Sequence, residues 1–139
     1  MSIDIPNDLV ITLERTKCPG ACPDYSLFVY ADGRIVYEGR HYVAAKGRQE
    51  GHLSRADVRK LLDEFYKAGY FSLKEKYDPI VNDGAVTKTS IALGGKTKRV
   101  VNCHPSQAPE GLYQLEKMID EITQSKLWVT RSGQPVLEP

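Results

Sequence analysis

The sequence predicts an α+β fold: a two-layer sandwich with a mainly antiparallel sheet of about six strands and two helices on one face. Three observations predict it. Strand-like segments are joined in pairs by short glycine turns. Two segments switch to helical spacing, each with one apolar stripe. The order is four strands, a helix, two strands and a helix, without the strand–helix–strand alternation of a parallel nucleotide-binding sheet.

The first strand is read in LVITLER, where Leu9, Ile11 and Leu13 alternate with Val10, Thr12 and Glu14. YSLFVYADGRIVYEG gives the next two strands, and Asp32-Gly33 between them predicts a two-residue type I′ turn with positive φ at both positions. HYVAAKGRQEGHL suggests a fourth strand, with Gly47 and Gly51 marking a bulge or a bend. In SRADVRKLLDEFYKAG, Val58, Leu61, Leu62 and Phe65 fall at helical spacing; Ser54 caps the start and Gly69 the end. Residues 70–85 read as an irregular connection. VTKTSIAL and KTKRVVNC form a second hairpin around Gly94-Gly95. A closing helix over residues 109–124 carries Leu112, Leu115, Met118, Ile119 and Ile122 on one stripe, with Pro109 in its first turn. The expected organisation is a lead-in over residues 1–8, one domain over 9–128 and a tail over 129–139.

The chain has 139 residues, 41% hydrophobic and 27% charged, the composition of one folded domain with a core of its own. A formal net charge of +1 argues against a nucleic-acid binder, which needs a strong basic excess. No apolar run approaches the ~18 residues of a membrane span. The start, MSIDIPNDLV, lacks the basic and apolar regions of a secretory leader. The sequence as given therefore reads as cytoplasmic, and a leader removed upstream would place it in the cell envelope.

Three cysteines pose the main chemical question. Cys18 and Cys22 have C-x₃-C spacing, not the C-x₂-C of thioredoxin-like sites, and a strand follows them instead of the helix that depresses a redox thiol's pKa. A structural loop is the plainer reading. A local disulfide closing about five residues contributes about 2 kcal/mol in the chain-entropy expression, provided the compartment is oxidising. A thiol redox enzyme or sensor using Cys18 and Cys22 is one alternative. A zinc-stabilised domain using Cys18, Cys22, Cys103 and His104, with His41 and His52 in reserve, is another. Adjacent Cys103 and His104 point to opposite faces of a strand, which counts against zinc. Nucleophile-elbow, P-loop, dinucleotide and zinc-protease motifs are absent from the sequence, so an enzyme is not favoured and no cofactor is expected.

Seven basic residues between Arg34 and Lys60 face only three acidic ones, but the tyrosines of that stretch read as part of a sheet cluster and not as stacking partners of those charges, so a solvated face is the plainer account. Tyr25, Tyr30, Tyr37 and Tyr42 cluster on the expected sheet. An exposed tyrosine-bearing face is a candidate binding surface; cross-strand pairing within the sheet is the alternative. Asp83 joins the candidates, although Asn82-Asp83-Gly84 is also an ordinary turn sequence.

The run CPGACPDYSLFVYADGRIVYEGR resembles the opening signature of a bacterial domain-of-unknown-function family, C-[FP]-G-x-C-P-x-Y followed by an Asp-Gly hairpin. The matching residues are Cys18, Gly20, Cys22, Pro23, Tyr25, Asp32, Gly33, Tyr37 and Gly39. FSLKEKY at 71–77, the acidic Asp83 and LGGKTKRVVN at 93–102 are similar too, so the resemblance spans about residues 9–128. It implies no activity. Members resemble exported or lipid-anchored envelope proteins, and this makes a Cys18–Cys22 disulfide the expectation. The resulting reading is a non-enzymatic binding or envelope-associated module, with a protein or a small molecule as partner.

Overall fold

A computed structural model describes residues 4–16, 18, 20–81 and 84–137. Among them the chain forms β1 (Val10–Arg15), β2 (Asp24–Tyr30), β3 (Arg34–His41), β4 (Gly47–His52), α1 (Arg55–Lys67), β5 (Lys76–Tyr77), β6 (Val86–Leu93), β7 (Lys96–Cys103), α2 (Glu110–Thr123) and α3 (Lys126–Val129). The fold is α+β, with seven strands in the order β4-β3-β2-β1-β6-β7-β5. All pairs are antiparallel except β5 on β7. The seventh strand, β5, is two residues long and lies in the stretch read as irregular; so short a strand has no periodicity to read. A single 3₁₀ turn, Tyr70–Ser72, precedes it. α3 is the helix beyond the two expected from the apolar stripes, and its four residues are too few to show one.

The turns differ from the expected geometry in an instructive way. At the first hairpin the Gly33 amide donates to the Tyr30 carbonyl at 2.9 Å, and only Gly33 has positive φ, +94°. This is a type I turn over Ala31-Asp32 followed by a left-handed glycine, a three-residue loop in place of the type I′ pair. The second hairpin does have type I′ character: Gly94 and Gly95 have φ of +58° and +77°, and Leu93 pairs with Lys96.

The stretch before β1 is tied to that second turn. Both Asp8 carboxylate oxygens accept an amide, from Gly94 and Gly95, each at 2.9 Å. These two bonds hold the Asp8 carboxyl below its ordinary value of 3.8. A depressed folded-state pKa contributes stability that is complete above the unfolded value and lost as pH falls through the folded one. Asp8→Ala is therefore expected to lower the urea midpoint at pH 7. The gap to wild type should close as pH drops through the depressed value below 3.8.

Ser54 caps α1 by accepting from the Asp57 amide at 3.1 Å, and Gly69, at φ +62°, turns the chain out of the helix. Val58, Leu61, Leu62 and Phe65 of α1 and Leu112, Leu115 and Ile119 of α2 share one core cluster with Ile11, Leu13, Leu27, Val29, Ile35, Tyr37, Ile91 and Val100. Ile5 and Val129 belong to the same cluster. No helix among the described residues is long and apolar enough to cross a membrane.

Candidate functional site

Strand register divides the sheet side chains into two sets. Ile11 lies opposite Val29 and Ile91, and Leu13 opposite Leu27 and Thr89. This set continues through Tyr25, Ile35, Tyr37 and Val100 and enters the core. The alternate set, starting from Thr12 opposite Phe28 and Ser90, includes Val10, Glu14, Ser26, Tyr30, Arg34, Val36, Glu38, Lys88, Arg99 and Val101. Its rim is exposed at Arg34, Glu38, Lys88 and Arg99, while Thr12, Phe28, Ser90 and Val101 are half-buried at its centre. Thr12 and Ser90 hydroxyls hydrogen-bond across the strands. A groove of about 440 Å³ runs over this centre, lined by Thr12, Glu14, Ser26, Phe28, Lys88, Ser90, Arg99 and Val101 among others. Charges at the groove edge interlock: Glu14 lies 3.7 Å from Lys88 Nζ and 3.6 Å from Arg40 Nη2, and Arg40 Nε donates to Asp24 at 2.8 Å.

The predicted tyrosine face separates into these two sets. Tyr25 and Tyr37 are 3% and 0% exposed, so they are core residues and take no part in an exposed surface. Their strand positions are in phase with Leu27, Val29 and Ile35, and their rings lie 5.9 Å apart. The Tyr25 phenol is pushed up by burial and by the neighbouring Asp120 carboxylate. Tyr30 belongs to the alternate set, with Arg34 stacked 4.6 Å from its ring centre. Tyr42 is half-buried in the connection to β4, at φ +56°. Asp83 lies outside the described residues.

A polar network that sequence reading missed occupies the end of the sheet nearest the cysteine loop. Arg15 ends β1 in the core-facing phase. Its Nε and Nη2 reach Asp120 Oδ2 at 2.9 and 2.8 Å. Asp120 Oδ1 accepts from Tyr25 Oη at 2.6 Å and from Ser125 Oγ at 2.5 Å. Burial opposes the Arg15 charge, but Asp120 and its neighbours outweigh it and hold the guanidinium pKa above its ordinary value. Arg15 Nη1 also donates to Thr87 Oγ1 at 3.0 Å, and Thr87 is 2.9 Å from His104 Nε2. His104 meets Glu116 at 3.2 Å, and Glu116, only 2% exposed, accepts from Asn102 at 3.1 Å. Ser106 completes the chain, donating to Asn102 Oδ1 at 2.5 Å beside Tyr113 Oη at 3.1 Å.

Chemically, this network is turned on itself. Each Asp120 oxygen is filled, and Ser106 bonds Asn102 and Tyr113, not the imidazole of a general base. Such an arrangement joins β1, β2, β6 and α2 mechanically. A cleft of about 640 Å³ adjoins it, lined by Tyr25, Asp120, Gln124, Ser125 and Val129 among others. Asp120 and Ser125 point their polar atoms at each other there. Signals were present in the sequence: Arg15, Thr87 and Thr89 fall in an apolar strand phase, and Glu116 interrupts the buried stripe of α2.

Cys18 and Cys22 are disulfide-bonded, with Cα atoms 5.4 Å apart, and the next element is β2. The bond closes the loop joining β1 and β2. Both sulfurs are thereby taken from the four-ligand zinc set. Cys103 is a half-buried free thiol in register with Val86, and His104 turns to Thr87 and Glu116. No group of three or more His, Cys, Asp or Glu among the described residues is placed to hold a metal ion. The basic residues of 34–60 are dispersed: Arg34 and Arg48 on strands, Arg40 paired with Asp24, Arg55, Arg59 and Lys60 on α1.

A search of curated proteins finds no match. The profile of a domain of unknown function, DUF6438, matches residues 9–123, which takes in the cysteine loop, all seven strands, α1 and the whole of α2. The match covers well over half of the sequence, and the chain belongs to the DUF6438 family.

Proposed function

We propose that this chain is a non-catalytic binding module of the cell envelope, and that it meets a protein partner with the open face of a two-layer fold. In this reading the apolar stripes of α1 and α2 roof one sheet face, and the alternate side-chain set is left for recognition. The observation that carries the proposal is the groove of about 440 Å³ in that set, with a half-buried centre at Thr12, Phe28 and Ser90 and charged edges at Lys88 and Arg99. A less polar centre inside a mixed-charge rim is the composition of a protein contact. A nucleic-acid site needs a single-sign basic surface, and here Glu14, Glu38 and Asp24 alternate with the cations. Tyr30 and Phe28 supply the aromatic area. The disulfide supports an oxidising compartment, where such bonds persist. The self-satisfied polar network supports binding over catalysis.

A photoreactive residue placed at Ser90 or Arg99 tests this in cells, against one placed at exposed Lys60 on α1. The expected result is one discrete protein adduct from the sheet positions, lost when excess unlabelled chain is added, and none from position 60. An adduct from position 60 alone overturns the proposal.

A further inference from the structure

We propose that the chain forms a two-fold dimer by pairing β4 antiparallel with β4 of a second copy. β4 is the outermost strand of the sheet beyond β3. Its sequence, GRQEGH, contains no proline, and five of its six residues are exposed. Of the usual protections of an edge, a bulge, a proline and a very short strand are missing from it, and its charges, Arg48 and Glu50, are of opposite sign. At the far edge β5 covers only Val101 and Asn102, and the open part of β7 carries Lys96, Lys98 and Arg99, charges of one sign that repel a second copy.

Register then selects the partner. Leu53 N donates to Gly33 O at 2.7 Å, so Gly33 and Leu53 are a hydrogen-bonded pair. Ladder bonds alternate along antiparallel strands. With Ile35 opposite Gly51 and Tyr37 opposite Gln49, residues 49 and 51 of β4 point their backbone groups at β3. Arg48, Glu50 and His52 therefore turn their N–H and C=O groups to the open edge. An antiparallel copy must pair these outward residues with one another. A two-fold axis through Arg48 or through Glu50 sets that charge opposite itself. An axis through Gln49 sets Arg48 opposite Glu50 twice, on one face of the sheet, with Gly47 opposite Gly51. Arg48 and Glu50 already lie side by side within one chain, 3.8 Å apart, so the seam becomes a quartet of alternating charge. Directly opposed unlike charges favour a strand pair and like charges disfavour it. An axis through Gly51 sets Glu50 opposite His52 instead, so the Gln49 register is the one that pairs Arg48 with Glu50, and an edge complementary to itself is the mark of a homodimer seam. α3 borders this edge, since Ala44 and Ala45 donate to Val129 and Trp128 carbonyls, and its Leu127 is 68% exposed. The seam lies away from the groove on β1, β2, β6 and β7, so either proposal stands if the other fails.

Sedimentation equilibrium tests the seam with wild type, Arg48→Glu, Glu50→Arg and the double swap. All four positions of charge are exposed, and circular dichroism checks that each variant is folded. Wild type is expected to dimerise below about 1 mM, the weak limit of a specific contact. Each single variant sets like charges opposite and should associate about tenfold more weakly or worse. The double swap should restore association. An equimolar mixture of the two single variants should form a heterodimer, because their charges are again opposite. A wild type that stays monomeric to 1 mM overturns the proposal, as do single variants that dimerise as well as wild type.

Discussion

Gly39→Ala is expected to lower unfolding stability by about 4 kcal/mol, combining overpacking with loss of a buried hydrogen bond. A Cβ at this position falls 2.0 Å from the Ala45 carbonyl oxygen and 2.5 Å from Tyr37 Oη. Those two atoms are the partners of a 2.9 Å hydrogen bond that ties β3 to the connection before β4. The new methyl cannot be relieved by a side-chain rotation, because one obstacle is backbone. Tyr37 cannot swing aside either: it is fully buried, stacked 5.1 Å from Trp128 and 5.9 Å from Tyr25. Its phenol is pushed up to about 12, chiefly by burial, so it remains a donor across the working pH range. Tyr37→Phe isolates the bond alone and should cost about 1–2 kcal/mol. The double variant should cost less than the sum, since both changes remove the same bond. Urea unfolding of the four chains measures this, and a Gly39→Ala chain within 1 kcal/mol of wild type contradicts it. The Tyr-x-Gly pattern of the family resemblance thus has a packing cause.

Asp120→Ala should cost about 3 kcal/mol, the low end of breaking an enclosed ion pair, because the pair keeps some contact with water. The change strands the Arg15 guanidinium and orphans the hydroxyls of Tyr25 and Ser125. Tyr25→Phe removes one of these bonds and should cost about 1 kcal/mol. Adding Arg15→Met to Asp120→Ala should recover much of the loss, since an apolar replacement of both partners removes the stranded charge. Thermal unfolding of the three variants provides the comparison. A double variant less stable than Asp120→Ala alone contradicts this and assigns the greater part of Arg15's role to its bond with Thr87.

Local pattern made most elements legible. Alternation in LVITLER, glycine at the turns and the stripes of α1 and α2 all report on neighbours close in sequence. What failed depends on residues far apart. In β2 both alternate sets carry an aromatic, Tyr25 with Leu27 and Val29, Phe28 with Tyr30, so period alone cannot say which set is inside. Register against β1 decides it, and register is not written locally. The polar network is the extreme case: Arg15 meets Asp120 across 105 positions and Thr87 across 72. The strand phase of Arg15 and Thr87 and the stripe position of Glu116 mark them as inward-facing, but which groups they meet is set only when the sheet and α2 are assembled. Asp32-Gly33 misled for a smaller reason, since a glycine in a hairpin turn serves a three-residue loop as well as a type I′ pair.

Hydroxyl-radical footprinting of the native protein in intact cells, compared with the purified chain, is the most direct test of partner binding on the proposed sheet face. Phe28 and Tyr30 report on that face, and Tyr66 and Phe71, 49% and 42% exposed, report on the α1 side. Phe28 and Tyr30 are expected to be protected in cells while Tyr66 and Phe71 label equally in both settings. Protection of Tyr66 and Phe71 with Phe28 and Tyr30 unchanged contradicts the account.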